Sequence, residues 1–321
     1  MTLISSSGPT DLWKQSRLEF ARTLDRSLVH RAAISEVFVT DLREVEADCF
    51  LVGAQLPVGH GYFLDTTAPV LRYEAGLLAE CARQASTAVA HSRIGVPRDW
   101  IFLMMSTSFR LLDDEPPQVG SAPAELTVQL DCTVNYRGGE VRGLRTRAEL
   151  LLGARPVAEL GGITRFVTHE EYEFLRFGLR EVSRCSSAEL PEPGGVPTAP
   201  ATVGRRNPGN VFLADVVRSA DGVRARLAVP PRHPTIFDHP LDHYPGMAII
   251  EAASQAARLL AGPERSVLGF SAAFDSFVEL DQPTELTARP DGADRCVVAV
   301  TQGALDRASV TIELAGADGR T

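Results

Sequence analysis

The sequence predicts an α+β protein made of two copies of one unit, each an antiparallel sheet wrapped around a central helix. Three observations carry this. An apolar stretch at helical period spans residues 77–89, and a second apolar segment, 245–255, opens on Pro245-Gly246. Runs rich in β-formers, separated by Gly, Pro and charged turns, follow the first of these. The order of motifs then repeats at a nearly constant offset.

At 321 residues, with 44% hydrophobic and 23% charged residues, the chain has ample material for a core and the composition of a folded protein. Its net charge of −9 disfavours nucleic acid and anionic membrane as partners, and no basic block reverses this locally. Lys14 is the sole lysine, so arginine carries nearly all positive charge. A GC-rich genome gives that bias more readily than function does. The five cysteines are scattered without metal-like spacing and read as buried thiols of a reducing compartment. With no signal-like start and no apolar run long enough to span a bilayer, the protein is expected in the cytoplasm.

Taken in order, residues 11–24 read as a short lead-in helix. Residues 37–41 and 49–55 read as a hairpin, with polar 43–48 between them. Glycines make 59–65 a loop. In the helix that follows, Leu77, Cys81, Ala85, Ala88 and Val89 share one arc, with Glu80, Gln84 and His91 at its edge. Gly95-Val96-Pro97 should stop it. Strands are expected at 100–112, 125–136, 146–152 and 158–168, with a turn at 137–139, then a short helix at 172–182. The Pro- and Gly-rich stretch 183–204 reads as a linker. This divides the chain into a lead-in (1–27), a first unit (28–182), the linker and a second unit (205–321).

The second unit repeats the first. Residues 211–215 match 37–41, an offset of 174 (211 − 37). His233 to Asp238 echo His60 to Asp65. Glu251-x-x-x-Gln255-Ala256 matches Glu80-x-x-x-Gln84-Ala85, an offset of 171 (251 − 80). Phe277 answers Phe109, and the alternating runs 295–300 and 308–314 answer the late strands of the first half.

Glu80 and Glu251 are therefore equivalent carboxylates inside apolar helices. Desolvation there should raise the pKa, which suits general acid–base work, although pairing with an arginine is an equal alternative. Gly246 opens its helix without a side chain, so the amides of that start are free to polarise a thioester or carbonyl oxygen. The first copy has Tyr73-Glu74-Ala75 at that place and is less suited to the task. His239 and His243 lie beside Asp238 and Asp242. Pro240 interrupts any helical face between them, which disfavours a metal; acid–base use of one histidine and a structural turn both stay open. Cys81 lies on the apolar arc and reads as core. The sequence holds no Gly-x-Ser-x-Gly elbow, phosphate loop or dinucleotide fingerprint, so most hydrolase, kinase and dehydrogenase readings are disfavoured.

The motif Phe237-Asp238-His239-Pro240-x-Asp242-His243-x-Pro245-Gly246-Met247-x3-Glu251-Ala252, with Val29-His30-Arg31, Gly59-His60 and Glu80-x-x-Arg83-Gln84-Ala85, resembles the A-factor synthase family. These are double-hotdog proteins of γ-butyrolactone signalling, distantly similar to hotdog acyl-carrier-protein dehydratases. The resemblance runs from about Leu28 to near the C-terminus and implies a tandem double hotdog. It also implies transfer of a β-ketoacyl group from an acyl carrier protein to the hydroxyl of dihydroxyacetone phosphate, without cofactor or metal, by a monomer or homodimer. On that basis Glu80, Glu251, His239 and His243 are candidate catalytic residues, and Arg83, Gln84, Gly246, Gln255, His60 and Asp242 candidate substrate contacts. The family commonly carries an Arg before the second Gln as well; here that residue is Ser254, which favours Glu80-Arg83-Gln84 as the working set. Dehydratase or thioesterase action on acyl thioesters, and non-catalytic acyl or partner binding, are the alternatives.

Overall fold

The computed structural model describes residues 17–178 and 184–316. A hairpin, β1 (Val39–Glu46) and β2 (Cys49–Leu56), leads to the central helix α1 (Ala75–Val89) and four long strands, β3 (Ile101–Leu111), β4 (Ala124–Arg137), β5 (Glu140–Leu152) and β6 (Arg155–Val167). A short helix, α2 (His169–Glu173), follows. The plan then recurs as β7 (Leu213–Ser219), β8 (Gly222–Leu227), α3 (Gly246–Ala261), β9 (Val267–Phe274), β10 (Glu285–Pro290), β11 (Arg295–Gln302) and β12 (Leu305–Leu314).

All twelve strands form one sheet in the order β1-β2-β4-β5-β6-β3-β9-β12-β11-β10-β8-β7. The second six appear in the reverse order of the first, as a pseudo-twofold axis between β3 and β9 requires. At that seam Ser108 pairs with Ser271 and Phe109 with Phe270, antiparallel, and the two Phe rings stack at 5.7 Å. The residue answering Phe109 across the axis is therefore Phe270. Phe277, expected in that place, falls in the bend after β9 and packs on His243 instead.

Local chemistry explains the elements. Gly138 and Gly139 (φ 63° and 85°) form the two-residue turn between β4 and β5, where Arg137 pairs with Glu140; a tight hairpin needs positive φ at both places. Helix α1 passes through a π turn at Ala90–Ile94 and ends at left-handed Gly95. The arc of Leu77, Cys81, Ala85, Ala88 and Val89 is buried, but so are Glu80 and Gln84: the sheet leaves the helix no solvent face at its centre. Three expectations fail. Residues 17–24 are not helical, since Leu24 N–H is spent on Val39 C=O and Glu19 N–H on Asp41; residues 11–16 lie outside the described part. The short helix expected at 172–182 starts earlier, at a Thr168 capping box, and widens into a π turn at Phe174–Gly178, while 179–182 lie outside the described part. The stretch read as a linker is packed, not loose: Ser187 exchanges two hydrogen bonds with the Leu241 backbone.

Each helix is fastened to its sheet by an amide. Gln84 Oε1 accepts from Phe38 N–H (2.9 Å) and its Nε2 donates to Glu36 C=O (2.7 Å). Gln255 does the same with Phe212 N–H (2.8 Å) and Asn210 C=O (2.7 Å). Replacing Gln255 with Leu strands both backbone groups, so the variant should lose about 2–5 kcal/mol of stability. Chemical denaturation of the purified chain checks this, and a loss under 1 kcal/mol refutes the strut.

Candidate active site

Glu80 sits mid-helix with its carboxylate saturated. Oε1 accepts from Arg31 Nη2 (2.6 Å) and Nε (3.2 Å), Arg83 Nη2 (2.8 Å) and Gln84 Nε2 (2.8 Å); Oε2 accepts from Arg83 Nε (2.7 Å). Burial alone would raise its pKa, but the Arg31 and Arg83 charges and their hydrogen bonds outweigh burial and hold the carboxyl well below the ordinary 4.5. The expectation of a raised pKa is thus overturned at Glu80. Four donors meet on Oε1 and one on Oε2, and the group is built to hold two guanidiniums.

The second half repeats the arrangement with one part missing. Glu251 Oε1 accepts from Arg205 Nη2 (2.6 Å) and Nε (3.1 Å) and from Gln255 Nε2 (2.7 Å). Ser254, in the place of Arg83, bonds instead to Ile250 C=O. Glu251 Oε2 is left without a partner among the described residues. Arg31 and Arg205 also tie the halves together: Arg31 Nη1 donates across to Thr235 C=O, and Arg205 Nη1 to Tyr62 and Asp65 C=O. Neither arginine received a role from sequence. The signal was present, since 205 − 31 gives the 174 of the first repeat match.

Two slots lie near these carboxylates; Glu80 and Glu251 both line the second, and neither lines the first. The first, about 50 Å³, runs between α1 and strands β3, β5 and β6, with Arg83, Thr87, Phe102, Met104 and, from the opposite half, Met247 among its walls. Helix α3 begins here. Pro245 N-caps it without a side-chain bond, its first turn holds no acidic residue, and the Gly246 and Met247 amides have no partner among the described residues. A Cβ on Gly246 would lie 2.9 Å from Phe274 and 3.2 Å from Met104 Sδ, so only glycine lets the backbone come this close. The positive end of α3 is therefore uncompensated at the Arg83 slot.

The second slot, about 40 Å³, lies against the start of α1 and includes Glu74, Ser254 and Arg258. Here Arg258 Nη2 reaches Glu74 Oε2 at 2.7 Å. Burial would raise the Glu74 pKa, but Arg258 and Arg205 lower it, so a full carboxylate already compensates that helix start. One slot is open to an electron-rich oxygen, and its twin is bridged by an ion pair.

The remaining candidates are dispersed. His239 Nδ1 lies 2.6 Å from Asp238, whose other oxygen accepts from Ala32 N–H; the ring is 40% exposed and lines neither slot. His243 Nδ1 lies 2.6 Å from Asp242, which Tyr172 and buried Arg176 also hold. Asp242 thus anchors α2 and the turn after it to the second half. His60 Nδ1 accepts from Tyr62 and Phe63 N–H, shaping its own loop, and Nε2 faces Glu36 at 3.5 Å. His60 borders a separate depression of about 870 Å³ that includes neither Arg83 nor Gly246. Glu80, Arg83 and Gln84 are in mutual contact and share a region with Gly246; Glu251 and Gln255 form the twin cluster.

The A-factor biosynthesis hotdog domain model matches residues 13–168 and 188–313, and the chain belongs to that family. Relatives named 2-oxo-3-(phosphooxy)propyl 3-oxoalkanoate synthase include one from Streptomyces virginiae, 34% identical over 86% of this chain and 91% of its own. Another, from Streptomyces coelicolor, is 32% identical over 91% and 90%. Among solved structures, an acyl-ACP thioesterase from Bacteroides thetaiotaomicron superposes with a TM-score of 0.50 over 82% of this chain and 97% of its own, at 10% identity. A protein named as an oleoyl thioesterase from Lactobacillus plantarum gives 0.50 over 83% and 96%, at 11% identity. At such identities the likeness shows the tandem hotdog fold alone.

Because the folded-state pKa of Glu80 lies below its ordinary value, its ion pairs contribute fully above about pH 4.5 and lose that contribution as pH falls toward the folded value. Glu80→Gln should cost about 3–5 kcal/mol at neutral pH, because it leaves buried guanidinium charge uncompensated. Stability of the variant should also fall less steeply than wild type as pH drops below 4.5, which acid titration followed by circular dichroism measures.

Proposed function

We propose that this chain is an acyltransferase that moves a 3-oxoacyl group from an acyl carrier protein to the hydroxyl of dihydroxyacetone phosphate, the ester described by the name its Streptomyces relatives carry. The observation that carries the reading is the shared slot: Met247, in the uncompensated first turn of α3, and the Arg83 side chain line one narrow, mainly apolar space between helix and sheet.

The acyl chain enters that slot, where Met104 and Met247 adapt to its bulk. The Gly246 and Met247 amides polarise the thioester carbonyl and stabilise the oxyanion that forms on attack. Arg83 meets the acceptor's phosphate through Nη1, which has no partner among the described residues, while Nε and Nη2 stay on Glu80. Glu80 is thus a positioning residue, fixing Arg83 and, through Arg31, the contact with the opposite half. The hydroxyl oxygen bonds to the acyl carbon, the C–S bond breaks, and the proton passes from the hydroxyl to the departing sulfur. Both sheets lie within one chain, so a monomer is sufficient for a complete slot. The five free thiols fit a cytoplasmic site of action.

Incubating the chain with a 3-oxoacyl carrier thioester and dihydroxyacetone phosphate, read by mass spectrometry, should give the phosphorylated ester. Free 3-oxo acid as the only product would mark a thioesterase, and water loss from a 3-hydroxyacyl thioester a dehydratase. Arg83→Met should raise KM for the phosphorylated acceptor about 10- to 100-fold, the worth of a charge-assisted contact, with a smaller effect on the acyl donor. Gly246→Val, pressing on Phe274 and Met104, should cut turnover while Ser254→Ala does not.

A further inference from the structure

Beside the Arg83 slot lies a pair of histidines far apart in sequence. His30 Nε2 and His91 Nε2 are 2.7 Å apart, and His91 Nδ1 is 2.8 Å from Val96 C=O. Both rings pack on Phe102, a wall of the slot, with centroids at 4.8 Å. Arg83 Nη2 donates to Val29 C=O, the residue before His30 (3.4 Å). His30 is one of three non-glycine residues with positive φ (54°) among those described. L residues rarely adopt that conformation, so the surrounding contacts, and not local preference, set this ring's position.

Hydrogen-bond logic settles the tautomers. A carbonyl oxygen only accepts, so His91 Nδ1 carries a hydrogen. In a neutral imidazole its Nε2 is then an acceptor, and His30 Nε2 must carry the hydrogen between the two rings. That leaves a lone pair on His30 Nδ1, which has no partner among the described residues.

We propose that His30 is the catalytic base of the transfer, taking the acceptor hydroxyl's proton at Nδ1 in a tautomer set by His91. This rests on the acyltransferase reading above. The O–H proton moves to Nδ1 as the oxygen bonds to the acyl carbon. When the C–S bond breaks, the same proton passes to the leaving sulfur, so His30 is restored and nothing is oxidised or reduced. His30 suits the task better than Glu80, whose oxygens are committed to arginines. It also suits better than His239, whose Nδ1 is already engaged by Asp238 at 2.6 Å.

The surroundings keep the lone pair available. Burial first, then the charges of Arg83, His91 and His239, push His30 down to about 3, and burial with the charge of Arg98 lowers His91 despite its bond to Val96. Both rings are therefore neutral at physiological pH. A phosphate dianion on Arg83 offsets the second of those influences, making His30 more basic when the acceptor is in place.

The test uses the full chain and the two-substrate assay. His30→Asn should lower kcat at least about 100-fold while both KM values stay within about threefold, as loss of a proton acceptor predicts. His91→Phe, which removes the tautomer-setting acceptor, should lower kcat less, about tenfold. Wild-type kcat in His30→Asn overturns the proposal while the ester made by wild type keeps the acyltransferase reading intact. No ester from wild type with any acyl length overturns both. Should His30→Asn fail to fold, nitrogen–carbon correlation spectra of the wild-type histidines decide: an Nε2–H tautomer at His30 supports the proposal, and an Nδ1–H tautomer overturns it.

Discussion

A buried carboxylate is costly unless its charge is met, and in this molecule the way that charge is met organises nearly everything else. Glu80 and Glu251 sit at the centres of helices that the sheet encloses. Each is gripped by an arginine from the segment preceding its own hairpin, Arg31 or Arg205, and by a glutamine one turn along, Gln84 or Gln255. The glutamines finish on backbone groups just before β1 and β7, and the arginines finish on loop carbonyls of the opposite half. Helix position, strand position and the docking of the halves thus depend on the same two carboxylates.

On that shared frame the two halves diverge at three matched places. Arg83 faces Ser254, Thr87 faces Arg258, and Pro245 faces Glu74 across the repeat. The outcome is one slot with a guanidinium and an uncompensated helix start, and another where Glu74 and Arg258 neutralise each other. Only the first leaves an electrostatic demand for a ligand to meet.

Much of this was legible in the sequence. The constant offset revealed the duplication, the helical period placed α1, and the absence of an Arg at Ser254 pointed to the half with the fuller charge set. The sequence misled where an outcome depended on partners distant along the chain. For Glu80 the sequence leaves a desolvated base and an arginine-paired carboxylate equally open, and Arg31, 49 residues away, decides for the second. His30 and His91 are 61 residues apart, and nothing in their local context hints that one sets the tautomer of the other. The pairing of Phe109 with Phe270 instead of Phe277 required the register of the seam, which is set by hydrogen bonds between strands and not by residue type.

The seam has an evolutionary implication. Because β3 and β9 hydrogen-bond edge to edge, the outermost strands of the sheet are β1 and β7, the first strand of each half. Two identical copies meeting there would be bound to keep both slots alike, since every substitution would appear twice. Fusion into one chain removed that constraint. The two slots are then free to differ, one with Arg83 in its wall and the other bridged by Glu74 and Arg258.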